Sequence, residues 1–289
     1  MRHWLIANTR AGNGSRGAGF WKPRLERAGI TSLQVRDLAE DDWETTLSAD
    51  DIVLVAGGDG SVNRAARACH ACGAILGVLP SGTANDFARN LGLPEDPDAL
   101  CELVARAPIA RVDVGWLDDQ LFLNVVHVGL GTLPATQASP RLKRWLGRFS
   151  YAAVLPQLRR LGLMRGFQAR LEIDHEILEE RWLSLAIASG AFFGGGSKVP
   201  GACARDGHLT LVVVRPRPWW RLLWTFMVTR LLGHTPQDDD SVLVRRPSTC
   251  RIAMHHGHRV TADGESLGHF RELTLRVEPA ALRVIVGPC

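Results

Sequence analysis

Lysine is nearly absent. Lys22, Lys143 and Lys198 are the only three among 34 basic residues, which leaves 31 arginines. A Walker-type phosphate loop needs Gly-Lys-Ser/Thr. The residues before these lysines are Trp21, Leu142 and Ser197, so no such loop exists. A His-Arg-Asp catalytic loop is missing as well, which excludes the protein-kinase set. No run of about 18 apolar residues occurs, so no transmembrane segment is expected. The first apolar run stops at Asn8, too early for a signal peptide. There is no basic block or tail, and a net charge of +4 is too mild to imply a nucleic-acid partner. The six cysteines, at 69, 72, 101, 203, 250 and 289, are scattered as reduced thiols of a cytoplasmic protein would be.

What is present suits a globular protein. The 289 residues are 46% apolar, 22% charged and 7% aromatic, enough for one large domain or two modest ones with a sizeable core. In the first third, strand and helix signals alternate. His3–Ala7, Leu33–Arg36, Ile52–Ala56 and Ile75–Leu79 read as strands. Phe20–Ala28, a segment ending at Gly73, Ala84–Asn90 and a stretch to about Arg106 read as helices. This is a parallel α/β layer pattern. After Arg111 strand-like runs dominate: Val112–Trp116, Leu121–Val128, Gln168–Ile173, Trp182–Ser189, Leu209–Val214, Val242–Val244, Arg251–His255, Arg259–Ala262, Glu272–Val277 and Arg283–Val286. Helical patches near Pro140–Leu161 and Trp219–Leu232 interrupt them. The expected architecture is α/β plus all-β: a Rossmann-like α/β domain over 1–111, then a β-sandwich over 112–278. Residues 279–289 are expected to return to the first domain.

Four segments carry chemistry. Gly57-Gly58-Asp59-Gly60-Ser61 follows a buried strand and opens a helix. Glycines let backbone approach a ligand closely, and the exposed N–H groups of a helix start favour a phosphate. Asp59 would repel phosphate directly, so it suits a Mg²⁺-bound water or a loop-fixing role. The alternative is an ordinary strand-to-helix turn. Pro80-Ser81-Gly82-Thr83-Ala84-Asn85-Asp86 repeats the placement, and ligands in open parallel sheets bind beyond the carboxyl ends of strands. Thr83 would contact a phosphate or an adenine edge. Alternatively, Ser81 or Thr83 merely caps the helix, with Asp86 in its first turn. Asp263-Gly264-Glu265 is either a hairpin turn or the carboxylate that takes a hydroxyl proton in phosphoryl transfer. Gly194-Gly195-Gly196-Ser197, followed by Arg205-Asp206-Gly207, is either a close-approach loop or a connector.

These blocks, with Asn124 and Gly129-Leu130-Gly131 between them, occur in one order. Together they resemble the diacylglycerol kinase catalytic-domain family, in its bacterial soluble lipid-kinase branch, over nearly the whole chain. The resemblance implies a lipid kinase using ATP and Mg²⁺. Its nucleotide contacts fall on Asn8, Gly57, Gly58, Asp59, Gly60, Ser61, Val62, Asn63, Arg64, Gly82 and Thr83. It places the catalytic base at Glu265, with Asp263 next. It also implies a structural Mg²⁺ or Ca²⁺ site from the Asp206 carboxylate and the Cys203 and His208 carbonyls. The implied partner is a lipid at the inner membrane surface, and a homodimer is compatible. A sphingoid-base kinase and a catalytically silent nucleotide-binding regulator are the rival readings. Arg64 departs from the pattern, reversing a charge where the family usually has glutamate.

Three further features read more plainly. Cys69-His70-Ala71-Cys72 has metal spacing but lies inside an expected helix, so core packing is the better reading. His255-His256-Gly257-His258 reads as a solvated hairpin between two strands. Trp219–Val228, rich in tryptophan and flanked by arginines, reads either as a surface helix that meets a bilayer or as a core helix.

Overall fold

The computed structural model describes residues 2–8, 15–40, 42–132, 165–193, 197–198, 202–218, 220–221 and 241–288. The expected helix at Pro140–Leu161, the triple glycine at 194–196 and most of the Trp219–Leu232 patch lie outside them.

The first part alternates as its pattern requires: β1 (His3–Ala7), α1 (Ala18–Arg27), β2 (Leu33–Asp37), β3 (Ile52–Gly57), α2 (Asp59–Cys72), β4 (Ile75–Pro80), α3 (Asp86–Asn90) and α4 (Pro97–Arg106). The strands pair in parallel, in the order β4-β3-β1-β2. Every residue of β3 is buried. Its Val53 and Val55 face one core, where Val62, Ala65, Ala66 and Cys69 of α2 pack. Its Ile52, Leu54 and Ala56 face the other, with Trp21 and Leu25 of α1 and Leu100 and Val104 of α4. A strand covered on both faces has no polar side to alternate with, hence the unbroken apolar run. Gly73 ends α2 in the left-handed conformation at φ 77°, and Asp96 caps α4 by accepting the Ala99 N–H at 2.8 Å.

The remainder is antiparallel: β5 (Ile109–Leu117), β6 (Gln120–Phe122), β7 (Val125–Gly129), β8 (Phe167–Ile173), β9 (Glu176–Trp182), β10 (Ser184–Ala188), β11 (Phe192–Phe193), β12 (Ser197–Lys198), β13 (Thr210–Val214), β14 (Val242–Arg245), β15 (Thr249–Ala262) and β16 (Glu265–Ile285). Its core gathers Phe122, Val128, Trp182, Leu211, Ile252 and Leu273. β16 is shared. It pairs with β15 over its first part, with β5 over its second, and joins β4 in parallel at Val284↔Leu76. The C-terminal segment therefore completes the first sheet.

Several expected boundaries shift for physical reasons. The run Leu121–Val128 is two strands, because the N–H groups of Leu123, Asn124 and Val125 all turn to the Asp263 carboxylate. Arg251–His255 and Arg259–Ala262 are one strand. His255-His256-Gly257 forms no hairpin; it lies in a bulge between the Ala253 and His258 pairings. Among the described residues no three His, Cys, Asp or Glu side chains gather as a metal would need. Glu272–Val277 and Arg283–Val286 likewise belong to one strand, with a register break between Glu278 and Leu282. α3 starts at Asp86, two residues later than expected, because Asn85 sits in the left-handed region at φ 51°.

Candidate active site

Two glycine loops leave adjacent parallel strands and touch. A Cβ on Gly82 would fall 2.6 Å from the Gly58 Cα, and one on Gly57 would fall 2.4 Å from the Ser61 Cβ. Both contacts exclude a side chain. The second loop is tied by Ser81, whose N–H reaches the Gly57 carbonyl at 2.9 Å, and by Asn85, whose amide brackets Gly82 with two 3.0 Å hydrogen bonds. No side chain caps the N-terminus of α2, so its first-turn N–H groups face outward at the positive end of a 14-residue helix. Asn8 donates from Nδ2 to Ser61 Oγ at 2.8 Å, joining the end of β1 to that first turn.

Above this helix start lies a cavity of about 540 Å³, lined by Asn8, Leu38, Gly58, Gly60, Ser61, Asn63, Arg64, Arg67 and Glu265. Glu265 arrives from 200 residues away because β15 and β16 are joined by a two-residue turn. Asp263 and Gly264 both have positive φ there, 48° and 88°, as primed hairpin turns require. The turn sets Glu265 over α2, with Oε1 3.3 Å from where a Gly60 Cβ would stand. Glu265 is exposed to the cavity.

The neighbouring acid is arranged differently. Asp263 accepts hydrogen bonds from the Leu123 N–H (2.8 Å) and Asn63 Nδ2 (2.6 Å) on one oxygen, and from the Asn124 and Val125 N–H groups (both 2.9 Å) on the other. Burial pushes its carboxyl above the usual range, while these four donors pull it back. Every oxygen it owns is engaged in holding the β6–β7 connection and α2 to the turn.

Asp59, below the cavity, accepts from the Phe87 N–H and from Asn124 Nδ2, each at 3.3 Å. Burial raises its pKa, and the charges of Asp86 and Asp263 raise it further. A cation nearby would relieve that repulsion. A Mg²⁺ ion held mainly by phosphate and water needs only one or two carboxylates, so this half-buried acid fits one.

Arg64 does line the cavity, yet its charge is balanced. Its Nε reaches Glu44 Oε1 at 2.5 Å and its Nη1 reaches the Leu38 carbonyl at 2.7 Å. Five expected contacts are not part of the lining: Val62 is buried in the core at 2% exposure, Thr83 is exposed away from it, and Gly57, Asp59 and Gly82 stand behind the residues that form it. Three residues were not expected. Leu38 and Glu44 belong to no recognisable block, whereas Asn124 is one of the residues that carry the resemblance. Arg67 follows Gly60 and Arg64 at helical spacing, the one signal that would have found it.

The turn expected to hold a structural ion is lined with donors instead. The Asp206 carboxylate accepts the N–H groups of Cys203 and His208, each at 3.0 Å, and the guanidinium of Arg246. The carboxylate that the expected ion would share with the Cys203 and His208 carbonyls is thus already engaged by two N–H groups and a guanidinium.

Residues 2–117 match the model of the diacylglycerol kinase catalytic domain, and residues 124–286 match that of the YegS C-terminal NAD kinase beta sandwich-like domain. A Pseudomonas aeruginosa protein named "Probable lipid kinase YegS-like" is 35% identical over 248 residues, 83% of this chain and 78% of that protein. A protein of the same name from Chromohalobacter salexigens is 31% identical over 75% of this chain and 70% of its own. A Staphylococcus haemolyticus protein named "Diacylglycerol kinase" is 32% identical over 205 residues, which span 60% of its length. The solved structure of a diacylglycerol kinase from Bacillus anthracis superposes with a TM-score of 0.72 over 99% of this chain and 97% of that one, at 20% identity.

Proposed function

The chain belongs to the diacylglycerol kinase catalytic-domain family of bacterial lipid kinases, and from that premise we propose that it transfers the γ-phosphate of ATP to the hydroxyl of a membrane lipid. The observation that carries this reading is the cavity itself. One chamber of about 540 Å³ brings the glycine loop at the α2 N-terminus face to face with Glu265. A polyphosphate held by that loop would lie beside a carboxylate able to accept a proton.

In this reading the backbone N–H groups at the start of α2, with Gly58 and Gly82 pressed together, hold the phosphates. Asn8 fixes Ser61 in that cradle. Glu265 takes the proton from the lipid hydroxyl as its oxygen attacks the γ-phosphorus, and the bond to the bridging oxygen breaks to release ADP. Asp59 is the residue that would hold a divalent ion, which supplies positive charge to the phosphate oxygens when bound. Asp263 keeps the turn in place and does not act as the base. Positioning and charge neutralisation account for most of the acceleration.

The lipid substrate implies work at a membrane surface, from the cytoplasmic side. No helix of the described residues is long and apolar enough to cross a membrane. Trp220, 55% exposed with the Arg221 guanidinium 5.3 Å from its ring, has the amphipathic chemistry that a lipid surface attracts.

The test is to incubate the protein with radiolabelled ATP and a panel of diacylglycerol, phosphatidylglycerol and sphingoid-base vesicles, then separate products by thin-layer chromatography. Label in one lipid, lost in Glu265→Gln, is the expected outcome. Binding of nucleotide with no labelled lipid would leave a nucleotide-binding regulator in its place.

A further inference from the structure

β5 and β16 run through both halves of the molecule, and their ladder breaks once. Glu278 pairs with Val114 and Leu282 with Val112, so Pro279, Ala280 and Ala281 bulge opposite Asp113. Ala280 takes a φ of 51° there. The bulge is fastened by Asp113, which is 4% exposed. One of its oxygens accepts the Ala280 N–H at 2.8 Å and the other accepts the Gly207 N–H at 2.7 Å. Its own N–H donates to the Ala204 carbonyl at 2.8 Å. The turn around Asp206 is therefore pinned to the place where the two halves join.

That turn is closed by Asp206. Its carboxylate gathers the N–H groups of Cys203 and His208 from within the turn. The remaining approach is taken by Arg246, which follows β14 and pairs with Asp206 Oδ2. The Asp206 carbonyl oxygen is engaged too, meeting His208 Nδ1 at 2.6 Å.

We propose that Arg246 is the resident cation of the Asp206 turn, and that this joint between the halves is held without a divalent ion. The chemistry of the donor set argues for it. A Mg²⁺ or Ca²⁺ site needs some six oxygens converging on one point. Here two backbone N–H groups and a guanidinium converge on the carboxylate. A metal at the same oxygen would have to displace Arg246, since two cations on one oxygen repel each other. A guanidinium is permanently charged and directs its donors in a planar fork, so it gives a fixed geometry that no change in ion concentration alters.

The experiment is thermal unfolding of the full, nucleotide-free chain in EDTA, in Mg²⁺ and in Ca²⁺. The wild type is expected to melt at one temperature in all three. Arg246→Ala is expected to melt about 2–4 °C lower in EDTA. Adding either ion is expected to leave that loss in place, and recovery by either ion would overturn the proposal. The proposal is overturned if a divalent ion raises the wild-type midpoint and Asp206→Asn abolishes the rise. It is also overturned if Arg246→Ala melts with the wild type in EDTA. Nucleotide is absent throughout, so the outcome does not depend on the kinase reading.

Discussion

Asn63 Nδ2 lies 2.6 Å from Asp263 Oδ2, a hydrogen bond across 200 residues of sequence. It ties the first turns of α2 to the hairpin that carries Glu265, so the glycine loop and Glu265 are fastened to each other.

The two acids of that hairpin should separate cleanly by mutation. Glu265→Gln is expected to lower kcat by roughly 10²–10⁴ with an unchanged melting temperature, as loss of a general base does. Asp263→Asn turns an amide NH₂ toward buried donors. It should cost on the order of 3 kcal/mol of stability and take activity with it. Urea unfolding measured beside lipid phosphorylation checks both.

Gly82→Ala tests the contact between the two loops. Its Cβ would stand 2.6 Å from backbone that cannot yield. The expected result is a loss of about 1–3 kcal/mol, with a raised KM for ATP as the cradle opens. An unchanged KM measured at saturating lipid would count against the loop's role in holding phosphate.

The Arg64–Glu44 pair tests whether the reversed charge is a local balance. Both side chains are 35% exposed, so the pair itself is worth little. Arg64→Glu places two carboxylates together beside a polyphosphate and should raise the KM for ATP at least several-fold. Glu44→Arg added to it should restore most of the loss. A double-mutant cycle on ATP binding measures the coupling.

Asp51 should govern acid stability. Burial pushes its carboxyl up, but hydrogen bonds from the Arg2 side chain, the N–H groups of Ser48 and Arg2, and Trp4 Nε1 outweigh it and hold the pKa at about 2. The unfolded chain binds the proton first. The stabilisation is therefore full above about pH 4 and is lost as pH falls toward 2. It amounts to on the order of 2 kcal/mol. Asp51→Asn should be less stable at pH 7 and lose less between pH 4 and 2, read from urea midpoints.

The parallel half of the fold was legible because strands such as Ile52–Gly57, buried on both faces, leave unbroken apolar runs between glycine loops. The antiparallel half was less so. β9 went unread because Glu176, Glu179, Glu180 and Arg181 face outward and leave only Ile177, Leu178 and Trp182 as apolar signal. β15 and β16 read as fragments because each is interrupted by a bulge, at His255–Gly257 and at Pro279–Ala281, whose continuity depends on partners far away in sequence. The site shows the same division. Glycines and acids at fixed offsets announce Gly57–Ser61 and Glu265. Leu38 and Arg67 join the site only through the fold, and Val62, inside the motif, points away from it because it lies with Ala65, Ala66 and Cys69 on the face of α2 that meets the core.

Every strand that β16 pairs with precedes it in the chain, and that sets an order of assembly. During synthesis the parallel sheet emerges with an open edge at β4, and the antiparallel sheet with one at β15 and β5. A single late strand closes them all. It seats Leu282, Val284 and Ile285 in the two cores of the first half, and it delivers Glu265 to the cavity at its other end. Completion of the fold and arrival of Glu265 at the cavity are thus one event, so a chain cut short before Glu265 would be left unclosed and, if Glu265 is the base proposed above, inert.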